Sequence, residues 1–236
     1  MRITYGGHSC VLIEFEGKVL AIDPWLDNPR GVESLKQLKI DGVFLTHGHP
    51  DHTAGVVELC KKFSCPCFGI VELIQVLQLD GLPKDLGVAL NKGGAASLKL
   101  LGFNDSSVVL THAIHSSSYI LNDQLVYAGE ACGIVLILGD KSIYHAGDTA
   151  LFADMDWINY RFQPDVAFLP IGDFYTMGPE DAAEAASIIQ AKYTVPIHWG
   201  TFPQLTGTPE KFQQCCNEEE VQSEIKILEP GASFTL

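Results

Sequence analysis

The segment His47-Gly48-His49-Pro50-Asp51-His52 places three histidines and an aspartate within six positions. It follows directly on the short apolar run from Gly42 to Thr46, which is typical of a strand buried in a sheet. The six residues are therefore predicted to form a loop at the carboxyl end of a strand. Imidazole and carboxylate groups suit Zn²⁺, Fe²⁺ or Mn²⁺. The two alternating histidines can face one metal ion, and the aspartate and the last histidine can turn to a second.

Two metal ions need more ligands than this stretch provides, and other strand ends offer them. His115, Asp148 and His198 each come at or shortly after the end of a short apolar run that predicts a strand. Each lies where an apolar strand meets a polar turn. The recurrence of ligand residue types at such positions predicts that they complete the same site.

These residues, in this order along the chain, resemble the metallo-β-lactamase superfamily. A finer similarity is to a branch of metal-dependent hydrolases that also resembles L-ascorbate-6-phosphate lactonase. The segments that carry it cover nearly the whole chain, and they are Tyr5-Gly6-Gly7-His8-Ser9, Asp23-Pro24-Trp25, His145 to Phe152, Leu169 to Asp173, Thr176 to Ala182 and Pro196 to Pro203. The resemblance implies an α/β fold, namely an αββα sandwich of two mixed sheets flanked by helices, with the site at one edge.

The resemblance also implies a division of the ligands between two divalent metal ions, with one aspartate bridging them. The resemblance assigns His47, His49 and His115 to the first ion. It assigns Asp51, His52 and His198 to the second ion, and Asp148 to the bridging position. Zn²⁺ is the first expectation for both ions, and Mn²⁺, Fe²⁺ and Ni²⁺ are the alternatives.

A second histidine, His112, competes with His115 for a ligand position. Ala113-Ile114-His115-Ser116 matches the third-histidine segment of the branch, which favours His115. An offset of three places the two side chains on opposite faces of a strand. We therefore predict that His112 is an ordinary surface or core histidine.

Three residues near the ligands are candidates for supporting or catalytic roles. His8 lies in a Gly-Gly-His-Ser turn and either lines the pocket, donating to the substrate, or bonds to the turn backbone. His145 is either an outer-shell group or proton shuttle, or a packing residue. Asp23 follows a strand, and the resemblance favours a role in holding a ligand histidine by its second nitrogen. Asp51, beside the metal, is the candidate for handling the proton.

Composition excludes several classes of function. The 236 residues suit one metallo-hydrolase domain over 1–236, and the net charge of −14 makes long nucleic acid a poor partner. No apolar run reaches the roughly 18 residues that span a membrane. Seven cysteines and a chain that opens directly on a strand pattern predict reduced thiols and a cytoplasmic protein. Phe152, Trp157 and Phe162 are candidates for an interface in a homo-oligomer.

The resemblance implies a metal-dependent hydrolase in which a hydroxide that bridges the two ions attacks a small-molecule substrate. We expect a small ester or lactone, phosphorylated ones included. A phosphodiesterase or nuclease of the same fold is the second interpretation. A non-catalytic metal-binding protein and a di-iron redox protein are further alternatives, and the redox protein usually needs a second electron carrier for which this chain leaves no room.

Local patterns give further expectations about the elements around the site. A helix is predicted from Thr53 to Lys62, with Thr53 or Asp51 as its cap, and a strand from Ser97 to Leu101. Loops at Tyr119 to Asn122 and Met155 to Arg161 are predicted to set substrate specificity.

Overall fold

The fold consists of sixteen short strands with six α-helices inserted between them. The computed structural model describes residues 1–236. Its strands, in chain order, are β1 (Arg2–Gly7), β2 (Cys10–Phe15), β3 (Lys18–Ile22), β4 (Gly42–Phe44), β5 (Cys67–Ile70), β6 (Gly87–Leu90), β7 (Ala95–Ser97), β8 (Ser106–His112), β9 (Ser118–Leu121), β10 (Gln124–Tyr127), β11 (Cys132–Leu138), β12 (Lys141–His145), β13 (Val166–Pro170), β14 (Tyr193–Ile197), β15 (Glu224–Ile225) and β16 (Ser233–Thr235). Its α-helices are α1 (Pro50–Thr53), α2 (Val56–Phe63), α3 (Val71–Leu79), α4 (Met155–Phe162), α5 (Pro179–Ile189) and α6 (Pro209–Glu218).

Two seven-stranded sheets form the centre of the fold. The first has the order β16-β1-β2-β3-β4-β5-β6, and the second has the order β15-β14-β13-β12-β11-β8-β7. Both are mixed, because β3 to β6 and β12 to β15 run parallel while the remaining neighbours are antiparallel. Helices α2 and α3 pack on the first sheet, and α5 packs on the second. The predicted pair of mixed sheets flanked by helices is confirmed.

Strand β13 shows why the central strands are apolar along their whole length. Val166 and Phe168 belong to the core shared by the two sheets, whereas Ala167 and Leu169 belong to the core under helices α4 to α6. Successive side chains of a strand point to opposite faces. A strand that is covered on both faces therefore has no polar position, as its burial pattern shows.

The two sheets meet at the edge where β4, β12 and β14 end. The backbone N–H of His198 donates to the carbonyl of His8 over 2.8 Å, and that of Cys132 donates to the carbonyl of Thr46 over 3.0 Å. Both bonds join one sheet to the other. The loops that follow these strands are therefore held close together.

The helix predicted from Thr53 to Lys62 is wrong in its start and its cap. The chain forms two helices there, because Gly55 adopts a left-handed φ of 78° between α1 and α2. Gly55 is the N-cap of α2, and the Thr53 hydroxyl instead donates to the carbonyl of His49 at 3.0 Å. Thus neither Thr53 nor Asp51 caps the longer helix.

The strand predicted from Ser97 to Leu101 is wrong in its second half. Strand β7 ends at Ser97, and Lys99–Leu101 form a 3₁₀ turn. Gly102 follows in the left-handed region with a φ of 87°, which reverses the chain.

The two segments predicted to be loops are largely regular structure. Residues 118–121 form β9 of a hairpin, in which Asn122 and Asp123 adopt the positive φ of a two-residue turn. Residues 155–161 lie in α4, where Met155 and Ile158 are buried at helical spacing.

All seven cysteines are buried and unpaired. Cys65 and Cys67, the closest to a redox or metal motif, pack in the core shared by the sheets. None of the helices is long and apolar enough to cross a bilayer.

Candidate metal centre

The loop between β4 and α1 supplies four of the predicted ligands. His47 lies just beyond β4, and His49 precedes α1 directly. Pro50 occupies the first position of α1, where its missing N–H costs nothing. Asp51 and His52 follow in the same helical turn. The local sequence therefore brings the four side chains together within six consecutive residues.

Three histidines form one half of the centre. The Nε2 atom of His47 lies 3.0 Å from Nδ1 of His49, and Nε2 of His115 lies 3.3 Å from the same atom. His115 reaches this point from the loop after β8. The three ligand atoms lie close enough together to hold one metal ion.

The second half combines Asp51, His52 and His198. Oδ2 of Asp51 lies 3.8 Å from Nε2 of His198 and 4.0 Å from Nε2 of His52. His8 joins this group, with its Nε2 atom 3.0 Å from the same carboxylate oxygen. These four residues form a second set of atoms that could hold an ion.

Asp148 stands between the two halves. Its Oδ2 atom lies 3.9 Å from Nε2 of His47 and 3.6 Å from that of His115. It lies 3.4 Å from Nε2 of His52 and 3.1 Å from that of His198. One carboxylate oxygen is therefore within reach of both ligand sets, which is where the resemblance places a bridging residue.

The three histidines of the first half are unprotonated, which leaves nitrogen lone pairs available. Burial lowers the pKa of His47, His49 and His115, so these imidazoles are neutral near pH 7. A neutral imidazole nitrogen is the form of histidine that binds a metal ion.

The acidic residues make the second half different. Burial opposes protonation of His198, but the Asp148 carboxylate raises the pKa of this histidine to about 9. The same carboxylate raises the pKa of His52, also against burial. Burial would raise the pKa of Asp51 and Asp148, yet the histidines around them lower both, so the carboxylates are ionised. This half attracts positive charge, which protons or metal ions can provide.

The buried polar atoms at the centre fit a pair of metal ions. Nε2 of His52, Nε2 of His198 and Oδ1 of Asp148 are buried and have no hydrogen-bond partner. Unpartnered buried polar atoms are rare and costly in proteins. Nitrogen and carboxylate donors of this kind suit Zn²⁺, Mn²⁺ or Fe²⁺. The residues present therefore fit two divalent cations.

Asp23 holds two of the ligand residues in orientation, in the way the sequence suggested. Its Oδ2 atom accepts a hydrogen bond from Nδ1 of His52 at 2.8 Å and from the Thr46 hydroxyl at 2.6 Å. Because the Thr46 hydroxyl proton goes to Asp23, Nδ1–H of His47 donates to the Thr46 oxygen at 3.0 Å. Both histidines then direct the lone pair of Nε2 into the centre. Thr46 was missed at the sequence level, although it directly precedes the motif.

We expect Asp23→Asn to weaken divalent metal binding by about 10- to 100-fold, the usual effect of losing such a partner. Asparagine tolerates the left-handed φ of 45° at this position, so the backbone need not move. Asp23 accepts three bonds, from the Thr46 N–H at Oδ1 and from His52 and the Thr46 hydroxyl at Oδ2. Asparagine replaces one of these two oxygens by an NH2 donor and cannot accept all three. The affinity is measured by competition with a chromophoric chelator.

Asp41→Asn is the matched control, since Asp41 is also a strand-end acid but pairs with the exposed Lys39. An Asp23→Asn protein with the metal affinity of the parent would show that Asp23 does not orient the ligands.

His8 is fully buried and uses both ring nitrogens. Nδ1 lies 2.9 Å from the Thr201 hydroxyl and Nε2 lies 3.0 Å from Oδ2 of Asp51. Burial and the neighbouring His198 lower the pKa of His8 to about 4, so the ring is neutral. Thr201 therefore donates to Nδ1, and Nε2–H donates to Asp51. The structure fits neither of the two roles suggested by the sequence: His8 is fully buried rather than open to a substrate, its ring nitrogens do not bond to the turn backbone, and it orients the Asp51 carboxylate instead.

His145 has no access to the centre. Its Nε2 atom donates to the carbonyl of Ser9 at 2.9 Å, and its Nδ1 atom accepts from the N–H of Gly147 at 3.1 Å. Because both nitrogens are engaged by backbone, the proton-shuttle alternative for His145 does not agree with its surroundings. The ring packs on Phe168 and fixes the turn that presents Asp148.

His112 lies apart from His115, as expected for an ordinary histidine. Its side chain is exposed and packs edge-on against Phe152, with ring centroids 5.1 Å apart.

We predict that His115→Ala lowers the affinity for one metal ion at least tenfold, because losing even a residue that only orients a ligand weakens metal binding by about that much. His112→Ala should leave metal content unchanged. Metal analysis after dialysis distinguishes the two variants, and a reversed result would exchange the roles of the two residues.

Several backbone positions at the centre are strained. His8, Asp23 and His198 adopt positive φ angles of 54°, 45° and 57°. Gly147 also has a positive φ, and a Cβ there would lie 2.8 Å from Cβ of Thr46. Non-glycine residues in this region cost free energy and cluster at functional sites. The sequence contains no local signal for the three strained positions.

An open cleft of about 800 Å³ leads to the centre. Besides five of the ligand candidates, its lining includes Trp25, Tyr175, Phe202 and Gln204. Residues of the segment 155–161 line a separate cavity of about 610 Å³ that also includes His112. The segment 155–161 therefore does not line the cleft that leads to the centre, and residues 119–122 do not line it either. Neither observation agrees with the prediction that these two segments set substrate specificity.

Comparison with known proteins places these features in context. Residues 19–199 match the model of a family described as the β-lactamase superfamily domain. A metal-dependent hydrolase from Herpetosiphon aurantiacus is 41% identical over 238 residues, covering 99% of this chain and 97% of the relative. One from Bacillus cereus is 42% identical over 243 residues and covers both chains completely. The solved structure of a metallo hydrolase from the archaeon Ignicoccus hospitalis is 34% identical, with a TM-score of 0.87 over 100% of this chain and 98% of that one.

Proposed function

This chain belongs to the metallo-β-lactamase superfamily, and from that premise we propose that it hydrolyses a small carboxylic ester or lactone with the help of two divalent metal ions. Relatives that match it over its full length are named metal-dependent hydrolases. The proposal extends that general activity to this chain and adds the substrate class.

The position of Asp148 is the observation that carries the proposal. A single carboxylate oxygen within 3.1 to 3.9 Å of four histidine nitrogens, drawn from both ligand sets, is suited to a pair of ions sharing one ligand. The cleft of about 800 Å³ gives a small molecule access to this point. A closed structural metal site would have no such opening.

The chemistry divides between the ions and the chain. When bound, divalent ions supply Lewis acidity, which makes water a better nucleophile near neutral pH and stabilises negative charge on the substrate. Asp51 takes up a proton at Oδ1, because its Oδ2 atom is held by His8 and its side chain is 25% exposed toward the cleft. His8 keeps that carboxylate oriented through Nε2–H, and Thr201 keeps His8 in the required tautomer.

A carboxylic substrate is favoured over a phosphodiester by charge. The net charge of −14 opposes the approach of polyanions, which weighs against long nucleic acid. The small-molecule partner is therefore proposed to be an ester or lactone.

The test uses two probes, δ-valerolactone and bis(4-nitrophenyl) phosphate, with protein loaded in turn with Zn²⁺ and Mn²⁺. Asp51→Ala is the blank, and Asp105→Ala, which removes an exposed acid elsewhere, is the charge-matched control. Turnover of the lactone alone, lost in the blank and kept in the control, supports the proposal. Turnover of the phosphodiester alone replaces it with a phosphodiesterase. Two bound ions without turnover of either probe would favour a non-catalytic metal-binding protein.

A further inference from the structure

The cleft beside the metal centre has an aromatic wall. Trp25 and Phe202 stack with ring centroids 6.0 Å apart and an angle of 25° between the planes. Tyr175 also lines the cleft, and Pro50 and Ala54 add apolar surface. A flat apolar group can pack against such a surface with favourable burial and ring geometry.

This wall is fixed next to the reacting position. Trp25 packs edge-on against the buried ring of His8 at 5.4 Å, and Phe202 packs against it at 5.6 Å. His8 is held by Thr201 on one side and donates to Asp51 on the other. Trp25 and Phe202 are therefore one imidazole ring away from the Asp51 carboxylate, and a group that packs on them lies in the same cleft as that carboxylate.

No lysine or arginine lines the cleft. Its polar lining outside the ligand candidates is Ser116, Tyr175 and Gln204, and its only carboxylates are Asp51 and Asp148. An anionic group placed away from the metal ions would lose water without gaining a positively charged partner, and the acids would repel it.

The basic residue that the fold places behind this region is already engaged. The guanidinium of Arg30 donates to the carbonyl of Trp199 at 3.2 Å and to Glu229 at 2.9 Å. It also stacks on the Trp199 ring at 3.8 Å. Arg30 is therefore unavailable to a substrate anion.

Resting on the hydrolytic function proposed above, we infer that the substrate is an uncharged ester or lactone whose apolar, ring-sized group packs against Trp25 and Phe202. This narrows the expectation drawn from the sequence, which included phosphorylated substrates. A phosphate or carboxylate substituent remote from the scissile bond is selected against.

A pair of esters matched in acyl length but different in charge tests the inference. 4-Nitrophenyl butyrate and the mono-4-nitrophenyl ester of succinic acid share the leaving group and acyl length, but one acyl chain ends in a methyl group and the other in a carboxylate. Rates are taken after subtraction of spontaneous hydrolysis, which the carboxylate of the succinate accelerates by attacking its own ester. We expect kcat/KM to be about tenfold or more higher for the butyrate, since only the succinate brings an unpaired charge into the cleft. Equal or higher kcat/KM for the succinate would overturn the inference.

Substitutions in the cleft locate the effect. Trp25→Ala should raise KM for the butyrate about tenfold with little change in kcat, and Trp25→Phe should restore most of it. Trp157→Ala, which removes an exposed tryptophan from the separate cavity, is the control. Gln204→Lys should raise kcat/KM for the succinate and leave that for the butyrate unchanged. Gln204→Glu should not raise kcat/KM for the succinate. An unchanged KM in Trp25→Ala would contradict packing on the wall.

A binding measurement separates this inference from the proposed function. Butyranilide and succinanilic acid are amide analogues that report binding to the Zn²⁺-loaded protein by calorimetry without requiring turnover. Butyranilide binding that is lost in Trp25→Ala, with no hydrolysis of either ester, would retire the hydrolase proposal but support the neutral, apolar ligand. Hydrolysis of both esters at equal rates, with equal binding of both amides, would retain the hydrolase and overturn the inference.

Discussion

Asp148→Ala is expected to abolish hydrolysis and to lose at least one of the two divalent ions on dialysis. Its Oδ2 atom is the only carboxylate oxygen within 4.0 Å of both His115 and His198. Without it, Nε2 of His52 and Nε2 of His198 keep only one carboxylate within 4.0 Å, that of Asp51. The loss of metal affinity should exceed the 10- to 100-fold range that is typical of residues that only orient a ligand, because the change removes a residue that reaches both ligand sets.

Metal content by elemental analysis and folding by circular dichroism are the measurements for Asp148→Ala. Asp154→Ala removes an exposed acid from the loop that follows and serves as the control. An Asp148→Ala protein that is folded, retains two ions and has full activity would show that Asp148 does not bridge them.

Gly172→Ala is expected to cause a large loss of stability beside the centre. A Cβ at this position would lie 2.2 Å from the carbonyl oxygen of His198 and 3.2 Å from its Nδ1 atom. A backbone oxygen cannot rotate away as a side chain can, and the N–H of His198 is fixed to the carbonyl of His8. The free energy of unfolding should fall by about 3 kcal/mol, the upper part of the range for overpacking.

The same change should displace His198 and weaken metal binding. Denaturant unfolding of the metal-free protein measures the first effect, and chelator competition measures the second. Gly69→Ala is the matched control, because Gly69 is also buried but a Cβ there would meet only side-chain atoms of Ile74 and Leu45, none of them closer than 3.4 Å. Equal stability of the two variants would mean that the His198 loop moves freely, in contrast to the packing described above.

Most of the centre could be predicted from the sequence because ligand residue types coincide with strand ends. Four candidates occur in the six-residue segment 47–52 shortly after β4, so they are near one another however the rest of the chain folds. Asp148 and His198 follow β12 and β14, whose parallel arrangement brings their carboxyl ends to one edge. The fold class followed from the resemblance and from apolar runs that alternate with turns.

The supporting residues could not be predicted, because their roles depend on contacts between distant parts of the chain. Thr201 and Asp51 share His8 only once the two sheets are packed. The sequence pattern also could not decide whether His145 is a packing residue or a catalytic one, because its role depends on which atoms its two ring nitrogens contact. The tertiary contact of Phe202 with Trp25, which shapes the cleft, has no local signal either.

Local structure was missed where a backbone conformation outweighed composition. The left-handed Gly55 divides what the apolar spacing predicts as one helix. The segment 155–161 is rich in polar residues, but two buried side chains at helical spacing are sufficient to dock α4.

The bond between residues 8 and 198 has a consequence for how the protein is made. Strand β1 pairs with β16, so the two ends of the chain are neighbours in one sheet. During synthesis the His47 to His52 loop emerges early, yet His115 follows only after about half of the chain, Asp148 after about three fifths and His198 after about four fifths. Contacts of such high sequence separation form late in folding. We expect the nascent chain to capture metal ions weakly until β14 has joined its sheet, so tight uptake of the ions marks the completion of folding.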